Sequence, residues 1–299
     1  MKKEAGIREK AVRLVLIISL LFVLGCVNDI PKEGIVSYKS SDGLEVYGIL
    51  SKPAGNGPFP AVILVHGGTP TGNLNASRWG KYVERLLEEG YVTFALDYRG
   101  SSGYSEEYKT KAELGGKEIG DVVYGFNYLK DLPYVDYTSI GIIGESHGGY
   151  MALMAAPKLN FKAIVDFYGF TEAGSFFSYV EESINNKGYH DDPEKAELLA
   201  NYKAKLGSPK YNPEPYAALS PINYVNEINA SILIIHGAKD ESVLVEQSYK
   251  LKAALAKAGK EFELVIYEDA GHEFIFNNSL DAQDALENVV EFLNRNLKP

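Results

Sequence analysis

Apolar positions along this chain of 299 residues follow two alternating patterns. Short apolar runs, too brief for a helix, are separated by stretches in which apolar residues recur every three or four positions. From Ile35 onward, VSYKSSDGLEVYGILSKP alternates apolar and polar residues on either side of Asp42-Gly43, the mark of a β-hairpin. Residues 61–65 (AVILV), 91–96 (YVTFAL), 140–143, 163–167 (AIVDF), 231–235 (SILII) and 261–267 are runs of the kind buried on both faces of a parallel sheet. Between them, 77–89, 118–129, 150–156, 246–258 and 279–296 read as helices, with Gly90, Pro157 and Gly259 as stop signals. Strands alternating with helices predict an α/β fold: a mainly parallel sheet of about eight strands with helices on both faces.

Residues 173–226 break this rhythm. They are rich in Tyr, Asn, Pro and charge, carry helical patches around 194–205, and offer no strand. The stretch reads as a small lid-like insertion. Its aromatics Phe176, Phe177 and Tyr179 fit a core of the insertion's own better than a substrate wall.

The chain is organised around residues 139–156, SIGIIGESHGGYMALMAA, which read as a short strand, one sharp turn and a helix. GESHG matches G-x-S-x-G. Gly144 and Gly148 flank Ser146 where a strand turning directly into a helix leaves no room for neighbouring side chains, so the hydroxyl is held out on a strained turn.

Charge and cysteine content narrow the picture. The formal net charge is −10, although five basic residues, Lys2, Lys3, Arg8, Lys10 and Arg13, crowd the first thirteen positions. The body is therefore more acidic still, which disfavours nucleic acid as a partner, because phosphate binding draws mainly on Lys and Arg. After the basic stretch, residues 14–24 are apolar apart from Ser19, the anatomy of a signal peptide and short for a membrane span. The segment ends in VLGC, which resembles the lipobox of prokaryotic lipoproteins, with Cys26, the single cysteine, as the acylated residue. An uncleaved anchor helix is the alternative, and both readings export the catalytic part. Residues 1–25 are thus expected to be a leader or anchor, 26–34 a tether, and 35–299 the catalytic domain.

A serine hydroxyl needs a base to take its proton and a group to orient that base. In chains with a G-x-S-x-G turn the order is Ser, acid, His. Of the histidines after Ser146, His190 lies in the irregular insertion and His236 ends a strand with its own carboxylate still to come. His272, in EDAGHEF, sits on a loop after the last strand and is the expected base. Asp240, directly after the SILII strand, is the expected acid, with Glu241, Asp166 and Asp269 as rivals. The backbone N–H of His147 and that of Gly68, in the His66-Gly67-Gly68 turn, are the expected oxyanion donors. This chemistry calls for no metal and no organic cofactor.

VILVHGGTP, LDYRGSSGYSEEY, GIIGESHGGYMAL, ALSPINYVNEINASILIIHGAKDESV and YEDAGHEF resemble, in this order, signatures of the catalytic domain of the prolyl oligopeptidase family of serine peptidases and their esterase relatives. The resemblance covers about residues 35–299. It implies the α/β-hydrolase fold, Ser146, Asp240 and His272 as a triad, Gly68 and His147 as the oxyanion hole, and Arg99 and Tyr104 at the substrate mouth. Two features depart from the family pattern. Only about thirty residues precede the first strand, where family peptidases commonly carry a propeller, and a histidine, His66, stands near the position where several members supply a tyrosine hydroxyl. The implied substrate is therefore a short peptide or a small ester, the latter as in dienelactone hydrolase-like relatives. A hydrolase-fold binding protein without catalysis would be marked by a missing triad member, and none is missing. Oligomeric state is open.

Overall fold

A computed structural model describes residues 34–68, 76–111, 113, 115–186 and 193–298. Residues 1–33, with Cys26, the apolar leader and most of the tether, lie outside the described residues, as do Thr69, Pro70 and His190.

Among the described residues, eight strands form one sheet in the order β1-β2-β4-β3-β5-β6-β7-β8. The strands are β1 (Gly34–Lys39), β2 (Glu45–Ser51), β3 (Phe59–Val65), β4 (Val92–Asp97), β5 (Val135–Glu145), β6 (Ala163–Phe167), β7 (Ser231–Gly237) and β8 (Phe262–Tyr267). The Asp42-Gly43 hairpin joins β1 to β2, and β2 lies antiparallel on β4. Every pairing from β4 to β8 is parallel. The parallel strands other than edge strand β8 are buried on both faces where they pair, because alternate residues feed two separate cores. Ile63, Val65, Ile140, Ile142, Ile164, Ile232 and Ile234 belong to one, together with helices Lys117–Lys130, His147–Ala155 and Glu246–Lys257. Val62, Leu64, Ile143, Val165, Leu233 and Ile235 belong to the other, with helices Gly80–Glu88 and Leu280–Leu297. Unbroken apolar runs such as AVILV follow from this double burial. The chain thus has the α/β-hydrolase architecture.

The insertion is more helical than its composition predicts. Residues 173–226 hold helices Ala173–Asn186, Pro193–Leu206 and Glu214–Ala218, and no strand among the described residues. Phe177 is fully buried against Tyr202 and Tyr216, and Phe176 stacks on Phe170 with centroids 4.5 Å apart. These rings form a core that is continuous, through Phe170 and Tyr150, with the core on one face of the sheet. Tyr179 instead donates its hydroxyl to the Glu241 carbonyl at 2.7 Å, and Lys205 pairs with Glu113 at 2.7 Å, so the insertion is tied to two loops at the sheet rim.

Parallel strands bring their carboxyl ends to one edge. His66 follows β3, Asp97 closes β4, Ser146 follows β5, Asp240 follows β7 and His272 follows β8. The crevice outside such an edge is where an open α/β sheet holds its ligand.

Candidate active site

β5 runs directly into helix His147–Ala155, and Ser146 at the junction has φ 54° and ψ −118°. Left-handed backbone of this kind is costly for any residue but glycine and persists only where the surroundings over-determine it. Here they do. The Ser146 N–H donates to the Phe167 carbonyl at 2.8 Å, and the Ser146 carbonyl accepts the Tyr150 N–H at 3.1 Å. A Cβ on Gly144 would strike the Gly148 carbonyl, and one on Gly148 would strike the Val65 carbonyl, so both flanking positions admit only glycine.

The His272 Nε2 lies 3.1 Å from Ser146 Oγ, and its Nδ1 lies 2.7 Å from Asp240 Oδ2. The imidazole rests beside the ring of Tyr168 at a centroid distance of 4.6 Å. Asp240 is 3% exposed, and its second oxygen accepts the N–H groups of Ser242 and Val243 at 2.8 and 2.9 Å. His236, fully buried behind it, brings Nε2 to 3.2 Å from Asp240 Oδ2. Burial opposes ionisation of Asp240, but the hydrogen bonds from His236 and His272 outweigh it and hold the carboxyl well below the usual carboxylate range. An ionised carboxylate fixes the His272 proton on Nδ1, which leaves the Nε2 lone pair facing the serine hydroxyl. The arrangement can move a proton from Ser146 to His272.

The rivals for these roles are engaged elsewhere. Asp166 is buried and accepts the Gly169 N–H at 3.1 Å, Asp269 is ion-paired with Lys239 at the surface, and Glu241 is exposed to solvent. His236 is locked between Ser248 Oγ at 2.7 Å and the Val243 carbonyl at 2.8 Å.

Of the expected oxyanion donors, His147 is the first residue of the helix after the nucleophile, and Gly68 follows β3 with φ 97°. The Gly67 N–H is committed to the buried Glu145 carboxylate, which removes it as a competing donor. The His147 side chain is held by Glu118, Nε2 to Oε1 at 3.1 Å, and Glu118 also accepts the N–H groups of Glu113 and Gly115.

One of the two expected mouth residues differs from expectation. Arg99 does not line the mouth: it is 1% exposed, donates to both oxygens of buried Asp121 at 2.7 and 2.8 Å, and reaches Ser40 and Asp42. The loop after β4 turns its guanidinium inward because Asp121 would otherwise be an unpaired buried charge. Tyr104 is half-buried, donates to Asp97 Oδ2 at 2.8 Å and stacks on Tyr47. His66 is likewise internal, between the Gly67 carbonyl and Ser101 Oγ, both at 2.8 Å, and burial lowers its pKa to about 3. It is a neutral prop for the turn after β3.

Sequence reasoning missed Arg78, Glu145, Glu118 and Tyr168. No local motif marks them, since each acts across at least 29 residues or through a side-chain face that only the fold defines. Among the described residues, no group of His, Cys, Asp and Glu is arranged to hold a metal ion.

Comparison with known proteins gives the family. A model of the prolyl oligopeptidase family matches residues 79–299. The uncharacterized peptidase YtmA of Bacillus subtilis is 30% identical over 235 residues, which cover 78% of this chain and 84% of YtmA. Human dipeptidyl peptidase 8 is 30% identical over 271 residues, 85% of this chain but 28% of that protein. Among solved structures, the acylaminoacyl peptidase of Pyrococcus horikoshii superposes with a TM-score of 0.73 at 26% identity, over 89% of this chain and 42% of its own. The chain therefore spans less than half the length of these last two relatives. With the family match extending over most of its residues, from the helix that packs on β4 to the C-terminal helix, this chain belongs to the prolyl oligopeptidase family of serine peptidases.

Proposed function

We propose that this protein hydrolyses a peptide or small-ester acyl bond through a covalent acyl-enzyme on Ser146. The observation that carries the reading is the hydrogen-bonded line from Ser146 Oγ through His272 to Asp240. In the acylation step Ser146 Oγ attacks the substrate carbonyl carbon while its proton passes to His272 Nε2. The carbonyl oxygen takes up the electron pair and is stabilised by the N–H groups of His147 and Gly68, donors worth about 3 kcal/mol each in serine hydrolases. The tetrahedral adduct collapses as the leaving amine or alcohol departs with the proton from His272. Water, deprotonated by the same imidazole, then attacks the ester and releases the acid and the serine hydroxyl. Asp240 stays ionised throughout and stabilises the imidazolium.

The relatives named as a dipeptidyl peptidase and an acylaminoacyl peptidase support a peptide acyl group as the substrate class. The test is labelling with a fluorophosphonate. The protein is expected to be modified at Ser146, and Ser146→Ala is expected to be inert; an unlabelled wild type would overturn the reading. The ratio of kcat/KM for matched p-nitrophenyl esters and peptidyl amides then decides between esterase and peptidase, since the amide depends more on leaving-group protonation by His272.

The basic stretch, the apolar residues 14–24 and VLGC support export and membrane attachment through acylated Cys26. Mass spectrometry of the membrane fraction is expected to find diacylglyceryl on Cys26 as the N-terminal residue. An unmodified cysteine within an intact leader would favour the anchor-helix alternative.

A further inference from the structure

Three chain segments that are far apart in sequence must keep register at the site: the oxyanion turn, the Ser146 elbow and the His272 loop. One guanidinium touches the supports of all three. Arg78 Nη1 lies 3.2 Å from Glu145 Oε1, and its Nη2 lies 2.9 Å from Glu273 Oε1. Glu145 immediately precedes the nucleophile, and Glu273 immediately follows the base. The same Glu145 oxygen accepts the Gly67 N–H, and a Cβ on Gly67 would lie only 2.7 Å from the other, so the turn is pressed against this carboxylate. The Arg78 guanidinium carbon sits over the ring of Phe276, 4.0 Å from its centroid, a cation–π contact that helps hold it in place.

These contacts hold a strained geometry. Glu273 has φ 60°, a cost for a residue with a side chain, and the pairing with Arg78 supplies a local partner for that conformation. They also settle a charge problem. Glu145 is buried against the turn proposed to supply an oxyanion donor, and an uncompensated carboxylate there would oppose negative charge developing on the substrate. Arg78, 14% exposed in its side chain, neutralises it in a setting that solvent screens poorly.

We propose that Arg78 is a positioning residue that locks the elbow, the oxyanion turn and the His272 loop together through Glu145 and Glu273. The inference rests on the hydrolase reading, so the experiment begins with the full chain labelled by fluorophosphonate. If the wild type is not labelled, the hydrolase reading fails. If it is labelled, Arg78→Ala, Arg78→Lys and Glu273→Gln are compared with it in labelling rate, in kcat and KM on a p-nitrophenyl ester, and in Tm.

Arg78→Ala is expected to lower kcat and the labelling rate by about tenfold to a hundredfold, with KM changed by less than about threefold, as for an ångström-scale misplacement of reacting groups. Arg78→Lys is expected to recover at least about a third of the lost kcat, because an ammonium still reaches one carboxylate. Glu273→Gln, a change at a half-exposed position, is expected to lower kcat severalfold with Tm unchanged. Labelling and kcat within about twofold of wild type in Arg78→Ala, or a lysine variant no better than alanine, would overturn the proposal. If Arg78→Ala does not fold, unaltered kinetics in Glu273→Gln would do so.

Discussion

His236 and His272 share one oxygen of Asp240, their ring nitrogens lying 3.2 and 2.7 Å from Oδ2. The carboxylate is thus gripped from the buried side by one imidazole and from the rim by the other, while two backbone N–H groups occupy its second oxygen. Its negative charge is held in place by partners that do not depend on substrate.

Asp240→Asn tests that arrangement. The amide oxygen replaces Oδ1 on Ser242 and Val243, but its NH2 faces His272 and makes Nδ1 an acceptor. The ring proton then sits on Nε2 and blocks proton transfer from Ser146. We expect kcat to fall by about 10³- to 10⁴-fold with KM little changed and with circular dichroism unaltered. Retention of more than a tenth of wild-type kcat would remove Asp240 from the mechanism.

Arg99→Met separates a structural role from a substrate-binding one. It leaves Asp121 buried with its charge unpaired, a loss of about 3–5 kcal/mol in unfolding free energy. In the folded fraction at low temperature, kcat/KM is expected to remain within about twofold of wild type. Urea unfolding and kinetics on the same sample measure both quantities, and a raised KM with unchanged stability would return Arg99 to the mouth.

Asp166 predicts a pH dependence of stability. Burial raises its carboxyl to about 7, with His236 and the Gly169 N–H pulling the other way. In the unfolded chain an Asp ionises near pH 4, so between about 4 and 7 the unfolded state binds fewer protons than the native one. Stability contributed by this group is complete below pH 4, falls as pH rises through that window and levels off above 7. Asp166→Asn removes the slope, so its stability relative to wild type should rise from pH 4 to pH 8 by up to about 4 kcal/mol. Equal differences at both pH values, measured by denaturant unfolding, would show that the carboxyl is not protonated in the native state.

Gly144→Ala tests the elbow. Its methyl would meet the Gly148 carbonyl, which is backbone and cannot swing aside. We expect loss of at least about 2 kcal/mol of stability together with loss of fluorophosphonate labelling, since the turn that exposes Ser146 has to open. A stable, fully labelled variant would show that the strained turn is dispensable.

Much of the architecture was legible in the residue pattern for one reason: strands buried on both faces need unbroken apolar runs, and the helices covering them need a stripe. Periodicity located the eight strands and the main helices. It underestimated β5, whose first half carries Asp136, Thr138 and Ser139 and lacks the apolar run. It also missed helix Ala173–Asn186, whose aromatic face packs on Phe170 and on other parts of the insertion rather than against a neighbouring strand.

For the site, the glycines around Ser146 were readable because a strand-to-helix turn imposes residue types locally, and Asp240 and His272 stood out as candidates on loops that follow strands. The contacts of Arg78, Glu145, Glu118 and His236 were not readable, nor was the inward turn of Arg99. Whether a charged side chain faces solvent or a buried partner depends on which distant segment lies against it, and a spacing of 195 residues between Arg78 and Glu273 leaves no trace in local pattern. Local chemistry determined which groups this chain possesses. Tertiary packing decided which of them meet, because ion pairs and ring contacts are made through space, at distances set by the sheet rather than by the chain.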